Sequence, residues 1–504
     1  MATVTPLSQG TRPEHRGLSF WMERVASELK NVRSSPDADA VHDLRVAIRR
    51  CRSLATVMEE VDPDPAWQEM RKVARKLFRS LGALRDAQVM SERLKELAAE
   101  TDPVRAHLQA NFESKMTGLR EAALRAAGKF DEKAWRRLER ALRQRSRFVP
   151  AGSLAAECLA LERFESAREL HAKALRTEKP RPWHAVRIGL KRFRYTVEGF
   201  LPEQYAAWSD NLKRVQDLLG DVHDLDVLLA TIKKSDSVET EDSRKTWEET
   251  IGRERHQRIE TYSQLTLGKT SLWNDWRPGL PTNGRVEAAA MARLRATARA
   301  TDPCARRTSQ ISRIAVALFD ALRRVDAAPA FADAAFRRIL LAAARLHGAG
   351  AVREKSPQKS ARKFLLSLAI PPGWTNEEWE LLAAAVRYHR GAEPRAKSGV
   401  FSRFSIEQQG KIRALAGMLR FARALRKCGL DSGAGIRAEK SPDAVILRVP
   451  NLPNGEDTAA RLAAGKHLLE DYLQYALIVK PAANPDKLVT LPARPLPEFS
   501  VASD

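Results

Sequence analysis

An eleven-residue block that occurs twice limits the fold of this chain more than any other feature. Residues 42–52 (HDLRVAIRRCR) match residues 184–194 (HAVRIGLKRFR), so that one histidine and four cations recur in register. A second block matches as well, LGALRDAQV at 81–89 with LGDVHDLDV at 219–227. Matching blocks in the same order at nearly equal offsets predict a duplicated helical domain.

Each copy of the first block is expected to form a helix with one basic stripe and one apolar face. The stripes comprise His42, Arg45, Arg49 and Arg52 in the first copy and His184, Arg187, Lys191 and Arg194 in the second. The apolar faces comprise Leu44, Ile48, Cys51 and Ala55, and then Val186, Leu190 and Phe193. Like charges at this spacing repel each other. Both copies carry such a stripe, with no acidic residue between the cations, and this indicates a bound polyanion. A single stripe would also be compatible with a helix face that is exposed to solvent.

The charge balance points to the same kind of partner. Lys and Arg total 86 against 63 Asp and Glu, a formal net charge of +23. Such an excess predicts binding to nucleic acid, an acidic membrane surface or a polyphosphate. Aromatic residues make up only 6% of the chain, and few lie beside the stripes. The stacking platforms of single-stranded nucleic-acid binders are therefore scarce, which favours a ligand without bases.

Several classes of protein are not indicated. The four cysteines (Cys51, Cys158, Cys304 and Cys428) form no CxxC pair, which is typical of reduced thiols and not of a zinc site or a disulfide framework. The chain has no run of apolar residues long enough to span a membrane, and its N-terminal residues lack the apolar segment of a signal peptide. We therefore predict a soluble cytoplasmic protein with no cofactor, no metal and no membrane partner.

The repeated motifs HxxRVxxRRxR and LGxxRDxxV resemble those of the CHAD family, the conserved-histidine α-helical domain. The resemblance covers residues 16–265, with repeats over about 16–148 and 149–265. It implies two four-helix bundles related by a pseudo-twofold axis, with a basic central channel that binds inorganic polyphosphate. Arginine suits that ligand because its planar guanidinium offers paired N–H groups to phosphate oxygens.

The resemblance also implies which side chains bind the ligand. The channel residues would be His42, Arg45, Arg49, Arg50, Arg52, His184, Arg187, Lys191, Arg192 and Arg194, and the rim residues Arg75, Lys76, Lys213 and Arg214. Asp86 and Asp224 are expected to be structural partners of channel arginines. We expect no catalytic residue among them.

Residues 304–438 resemble a second family, the helical C-terminal region of exopolyphosphatase/guanosine pentaphosphate phosphohydrolase proteins, which belongs to the HD-domain superfamily. The resemblance rests on residues 309–325, 344–350, 383–395 and 414–427. HD enzymes hold a metal with a His, a His-Asp pair and a later Asp, whereas here Gly348 follows His347 and Arg423 replaces the last Asp. One histidine cannot hold such a metal. We expect a degenerate module that serves either as a scaffold or dimer surface, or as a second phosphate-binding surface. The residues of that surface would be Tyr388, His389, Arg390, Arg395, Lys397, Arg413, Arg420, Arg423 and Arg426.

The predicted fold class is all-α, with duplicated four-helix bundles followed by an HD-like helical domain and a small α+β end unit. The expected segments are a flexible N-terminus (1–15), the duplicated domain (16–265), a linker rich in Gly and Pro (266–285), the HD-like domain (286–485) and a flexible tail (486–504). The end unit contains a predicted strand at 444–452, a helix near 457–475 and an apolar stretch at 476–479.

The function that these features favour is non-enzymatic binding of inorganic polyphosphate, with polyphosphate granules as one place of action. Two alternatives stay open on the sequence. A nucleic-acid-binding protein is one, because a basic cleft does not fully reject RNA. A polyphosphate or nucleotide phosphohydrolase built on the second half is the other. The sequence does not predict the oligomeric state.

Overall fold

The computed structural model describes residues 17–35, 37–177, 179–233, 241–350, 356–395 and 399–482. The expected flexible N-terminus (1–15) and tail (486–504) lie outside these ranges. The chain divides into two compact units. The first comprises Met1–Pro303 with Leu366–Asn376, and the second comprises Cys304–Leu365 with Glu377–Asp504.

The first unit is helical throughout its described part. Its helices are α1 (Leu18–Ser34), α2 (Ala38–Met58), α3 (Pro65–Val73), α4 (Arg75–Leu97), α5 (Pro103–Gly128), α6 (Glu132–Arg145), α7 (Leu154–Ala174), α8 (Pro180–Phe200), α9 (Pro202–Lys233), α10 (Glu241–Thr266), α11 (Leu272–Trp276) and α12 (Gly284–Thr301). Single 3-10 turns lie at Ser146–Phe148 and Arg277–Gly279. The first repeat supplies α1 to α6, and the second begins with α7.

Proline and aspartate set several of the helix starts. Pro65, Pro103 and Pro180 occupy the first turn of α3, α5 and α8, where the missing N–H costs no hydrogen bond. Asp64 and Asp102 accept hydrogen bonds from backbone N–H groups of the helices that follow them, which satisfies donors that a helix start otherwise leaves unpaired. The Pro- and Asp-containing breaks in the sequence therefore correspond to real helix boundaries.

Each repeat packs its long helices in chain order, with α1, α2, α4 and α5 in the first and α7, α8, α9 and α10 in the second. The predicted apolar faces of α2 and α8 are buried, with Ile48 and Phe193 both at 0% exposure. The repeats meet where α2 contacts α8. They also share a hydrophobic cluster in which Leu94 of α4 and Leu228 of α9 are both fully buried.

The segment expected to be a linker belongs to the first unit. Residues 266–285 contain α11, whose Leu272, Trp273 and Trp276 join the main hydrophobic core. Helix α12 then packs against α7, and the division between units falls after Pro303. The glycines and prolines end helices here, as expected. The segment nevertheless packs onto the first unit, because burial of its three large apolar side chains is favourable.

The second unit combines helices with a small sheet. Its elements are α13 (Ala305–Arg324), α14 (Ala334–Leu346), α15 (Pro357–Ser367), α16 (Asn376–Tyr388), α17 (Ile406–Lys427), β1 (Arg437–Lys440), β2 (Ala444–Val449), α18 (Glu456–Leu473) and β3 (Ala476–Pro481), with α15 and α16 reaching the unit boundary. Single 3-10 turns lie at Pro329–Ala332 and Phe401–Arg403. The sheet order is β1-β2-β3, antiparallel at the first pairing and parallel at the second.

The predicted fold class is confirmed. Helices dominate both units, and the strands in the described residues form one three-stranded sheet near the C-terminal end. Strand β2 and helix α18 lie where the sequence predicted them, and the apolar stretch at 476–479 forms β3. The polar strand β1 was not predicted. Within the described ranges, no helix has both the length and the apolar character needed to cross a bilayer.

Candidate anion-binding channel

The two basic stripes line one cavity of the first unit. The cavity has a volume of about 460 Å³ and receives side chains from α2, α4, α8 and α9, hence from both repeats. Its lining comprises His42, Arg45, Val46, Arg49, Phe78, Arg85, Asp86, Val89, Met90, Arg187, Lys191, His223, Asp224 and Val227. The duplication thus brings its two basic helices to one place.

A second cavity lies next to the first. It has a volume of about 320 Å³ and shares Arg49 and Lys191 with it. Its other lining residues are Arg52, Ser53, Thr56, Val57, Arg71, Arg163, Ile188, Arg192 and Tyr195. We call the two cavities together the channel. Asp86 and Asp224 are the only carboxylates among the described residues that line it, and both belong to the first cavity.

Aromatic rings hold several guanidinium groups without neutralising them. Arg52 lies 4.8 Å from the centre of the Phe78 ring, and Arg45 lies 5.9 Å from the same ring. Arg49 lies 5.8 Å from the centre of the Tyr195 ring. A cation over an aromatic face is attracted to it but keeps its full charge. The channel therefore fixes the positions of its cations while preserving their field.

Hydrogen bonding leaves donors in the channel unused. Nη2 of Arg45 donates to Oδ1 of Asp86 at 3.3 Å, which is the structural pairing expected for Asp86. The Nε atoms of Arg45, Arg49 and Arg187 are buried, and no acceptor for them exists in the part of the chain that the structure describes. An unpaired buried donor costs free energy. Burying these three donors therefore costs the fold free energy.

The cations of the channel disfavour one another electrostatically. Burial, followed by the charges of Arg187 and Arg49, lowers the pKa of Lys191 to about 7. Burial also lowers the pKa of Arg187 and of Arg45, with nearby carboxylates opposing the shift in both cases. Desolvation and like charges both penalise the protonated forms. A bound anion would relieve both penalties.

The histidines of the stripes are held neutral. Burial and then the charges of Arg85 and Arg49 lower the pKa of His42. His184 lies 3.1 Å from His223 between their Nδ1 atoms. Burial, followed by the charge of Arg187, lowers the pKa of His223 to about 4. Neutral imidazoles can still exchange hydrogen bonds with a ligand, but they add no charge near neutral pH.

Some residues expected in the site lie outside the channel. Arg50 forms an ion pair with Glu198, and both side chains are largely buried. Arg75, Lys76, Lys213 and Arg214 are exposed and line neither cavity, and Arg194 and His184 are also absent from the lining. His184 nevertheless contacts the lining through His223.

Three cations that line the channel were not among the predicted site residues, namely Arg71, Arg85 and Arg163. Arg71 of α3 and Arg163 of α7 line the second cavity, and each forms an ion pair with a carboxylate outside the lining, Glu59 and Glu60 respectively. Neither belongs to a repeated block, so the sequence carries no signal that singles it out. Arg85 lines the first cavity in the place that His223 takes in the second repeat.

In the second unit, the residues singled out from the HD resemblance are not arranged as metal ligands. The rings of His347 and His389 lie 4.9 Å apart between their centres. Arg423 lies close enough to His389 for its charge to lower the pKa of that histidine. Among the described residues, no three His, Cys, Asp or Glu side chains are grouped as metal ligands would be. The pairing of the two histidines was not predicted.

Comparison with known proteins agrees with both resemblances. Residues 21–233 match the family model of the CHAD domain, and residues 304–438 match that of Ppx/GppA phosphatase, domain III. The crystal structure of the CHAD domain from the plant Ricinus communis is similar at 20% identity, covering 52% of this chain and 88% of that chain, with a TM-score of 0.37. No curated protein matches the chain. The chain thus contains a CHAD domain over residues 21–233, followed by a region of the Ppx/GppA domain III family over residues 304–438.

Proposed function

We propose that the first unit binds inorganic polyphosphate in the channel and does not hydrolyse it. CHAD domains are linked in general to polyphosphate binding. The observation that carries the proposal is that Arg45 and Arg49 of α2 line the same cavity as Arg187 and Lys191 of α8, with Asp86 and Asp224 as the carboxylates of that lining. A chain of phosphates that passes between the two helices would contact cations of both repeats.

The lining favours polyphosphate over single-stranded nucleic acid. Bases bind such channels by stacking on aromatic faces. The two aromatic rings of the lining are Phe78 and Tyr195, and both already carry guanidinium groups. Polyphosphate has no base to stack and needs only closely spaced donors. The arrangement of rings and cations therefore supports a ligand that consists of phosphate alone.

The proposal of binding without turnover is supported by the second family match. Domain III is a C-terminal domain of Ppx/GppA phosphatases and is not their catalytic core. In this chain Gly348 and Arg423 occupy positions where an HD enzyme needs carboxylates. A protein of this kind would act by binding to polyphosphate, for example at polyphosphate granules.

The test is a calorimetric titration of the full chain with polyphosphate of tens of residues, compared with ATP and pyrophosphate. The long chain should bind far more tightly, because only a chain contacts both stripes at once and gains from linked contacts. Equal affinities for ATP and the long chain would overturn the proposal.

Two further arms of the same experiment address the alternatives. Mixed RNA at fixed salt should compete poorly with polyphosphate, and effective competition at equal phosphate concentration would favour a nucleic-acid-binding protein. Incubation with Mg²⁺ or Mn²⁺ should release no phosphate from polyphosphate or guanosine pentaphosphate. Metal-dependent release that His347→Ala abolishes would show a phosphohydrolase.

A further inference from the structure

A third basic cavity lies within the second unit, where the ends of α16, α17 and α18 meet. It has a volume of about 270 Å³. Its polar lining consists of His389, Arg390, Arg420, Arg423, Lys427 and Arg461. None of the described residues that line it is a carboxylate. Two carboxylates lie just outside the lining, Glu393 at 3.7 Å from Nη1 of Arg420 and Asp457 at 3.8 Å from Nη2 of Arg461. The five cations outnumber these two acids and give the cavity a positive field.

Arg420 builds the rim of this cavity. Its Nε donates to the carbonyl oxygen of Tyr388 at 2.8 Å, and its Nη2 donates to that of Gly391, also at 2.8 Å. These bonds hold the chain that follows α16, where Gly391 has a φ of 74°, a conformation that favours glycine. Arg420 therefore has a structural task, and the lining beside it is fixed in place.

Arg423 lies one helical turn after Arg420 and has no comparable task. No hydrogen bond or ion pair joins it to the described residues, and its side chain is half-buried. Burial, followed by the charges of Arg390, Arg426, Arg307 and Arg420, lowers its pKa to about 10. An arginine that is partly desolvated among four others costs free energy unless an anion compensates it.

His389 supplies a neutral wall to the cavity. It is 2% exposed, and its Nδ1 lies 2.6 Å from the carbonyl oxygen of Val386, so this nitrogen must be the donor. Burial and the neighbouring His347 hold its pKa well below the ordinary value. A buried neutral wall lowers the local dielectric constant, which strengthens the attraction between the cations and an anion.

Close packing of α17 and α18 brings the cations together. A Cβ atom on Gly465 of α18 would lie 2.5 Å from the Cβ of Ala424 on α17, so only glycine permits this approach. Arg461, one turn earlier on α18, then reaches α17 and donates from Nη1 to the carbonyl oxygen of Lys427 at 3.3 Å. The close approach of the α17 and α18 backbones therefore determines where the cations of the cavity lie.

We propose that this cavity is a second anion site, which binds one phosphoryl or pyrophosphoryl group between Arg390, Arg423 and Arg461. Arg390 and Arg423 belong to the basic surface expected from the sequence, of which Lys397 lies outside the described residues, whereas Arg461 was not expected. The group would belong either to a small phosphate compound or to the end of a polyphosphate chain, which present the same oxygens. The proposal does not depend on polyphosphate binding in the first unit.

The test uses pyrophosphate as the probe and the full chain with Arg49→Ala/Lys191→Ala, which weakens the channel. Titration calorimetry should still detect one bound pyrophosphate per chain. Adding Arg423→Gln should weaken this binding about tenfold or more, as expected when a charge-assisted hydrogen bond is lost. Adding Arg437→Gln, a change at an exposed arginine of β1, is the control and should leave the affinity within about twofold.

Arg390→Gln serves as a second variant if circular dichroism shows that Arg423→Gln does not fold. The proposal is overturned if a folded variant of either kind binds pyrophosphate as tightly as the control. Polyphosphates of different length, compared at equal phosphate concentration, separate the two sources. If the amount bound scales with the number of chain ends, the bound group is the end of a polyphosphate chain. Tighter binding of pyrophosphate than of any chain end indicates a small compound.

Discussion

Arg49 of α2 and Lys191 of α8 occupy equivalent positions in the two repeats, and both line the two cavities of the channel. The charge of Arg49 is among the causes that lower the pKa of Lys191, after burial and Arg187. Duplication has therefore placed like charges near one another. A bound anion would relieve this repulsion, because it favours the charged form of both side chains.

The first prediction concerns the two stripes. Arg45→Ala/Arg49→Ala and Arg187→Ala/Lys191→Ala should each weaken polyphosphate binding, because each removes cations from the same channel. Each lost contact should also reduce the slope of log affinity against log salt by roughly 0.7, by analogy with single-stranded nucleic acid. Calorimetry at several salt concentrations measures both effects.

Arg136→Ala/Arg140→Ala is a matched control for these variants. It removes two exposed arginines with the same spacing from α6, outside the channel, and should change the affinity little. Helix content should be unchanged in all three variants, because the apolar faces of α2 and α8 are left intact. If neither stripe variant differs from the control, the stripes are solvated surface.

The second prediction is a pH dependence that originates in Lys191. Its pKa is about 7 without ligand, and bound phosphate must raise it, because the anion favours the charged form. The contribution of Lys191 to binding is thus complete below pH 7 and is lost as the pH rises towards the pKa of the complex. Affinity should fall over this range by at most about tenfold per pH unit.

Lys191→Arg tests the assignment, because arginine stays charged throughout this range. This variant should bind with an affinity that changes little between pH 7 and 9. The histidines should contribute little there, since the pKa of His223 is about 4 and that of His42 lies below its ordinary value. An equal fall in affinity for both proteins would locate the titrating group elsewhere, for instance on the ligand.

The repeated blocks made much of this architecture predictable. A pattern such as that of residues 42–52 fixes a helix, the side that it buries and the side that carries charge, since all three follow from the helical period. The burial of Leu44 and Leu190 at 0% and 1% exposure agrees with that pattern. The resemblance to the CHAD family followed from these blocks, whereas the second resemblance rested on separate segments of residues 304–438.

Features that depend on tertiary packing were not predictable in the same way. Arg163 reaches the channel because α7 packs against α8, and nothing in its local sequence distinguishes it from other arginines. The end of the first unit was placed too early, because Gly and Pro around Trp273 indicate a break in helix but do not reveal what the tryptophans bury. Arg50 was assigned to the channel from the motif, whereas the structure pairs it with Glu198.

The third prediction concerns the extent of the first unit. A fragment that ends at residue 265 loses Leu272, Trp273 and Trp276 from the core and also loses α12. It should be much less stable than the same fragment extended to residue 303, since truncating even one buried tryptophan to alanine costs about 3–5 kcal/mol. Urea unfolding followed by circular dichroism compares the two. Equal midpoints would show that residues 266–303 are dispensable for folding.

The last prediction separates the structural role of Arg50 from a role in binding. The side chains of Arg50 and Glu198 are 12% and 15% exposed, and their ion pair joins α2 to α8. Glu198→Ala leaves Arg50 buried near Arg49 and Arg194, whose charges lower its pKa together with burial, the largest cause. We expect the free energy of unfolding to fall by about 3 kcal/mol, as for other buried pairs that lose one partner.

Replacing both partners removes the uncompensated charge. Arg50→Met/Glu198→Leu should therefore recover most of the lost stability, because well-packed apolar residues often replace a buried ion pair at no cost. The double variant should also retain polyphosphate affinity within about threefold, since Arg50 lines neither cavity and a change of that size is below 1 kcal/mol. Urea unfolding and calorimetry measure the two properties on the same protein. A loss of affinity as large as that of Arg45→Ala/Arg49→Ala, with stability recovered, would instead make Arg50 a ligand-binding residue.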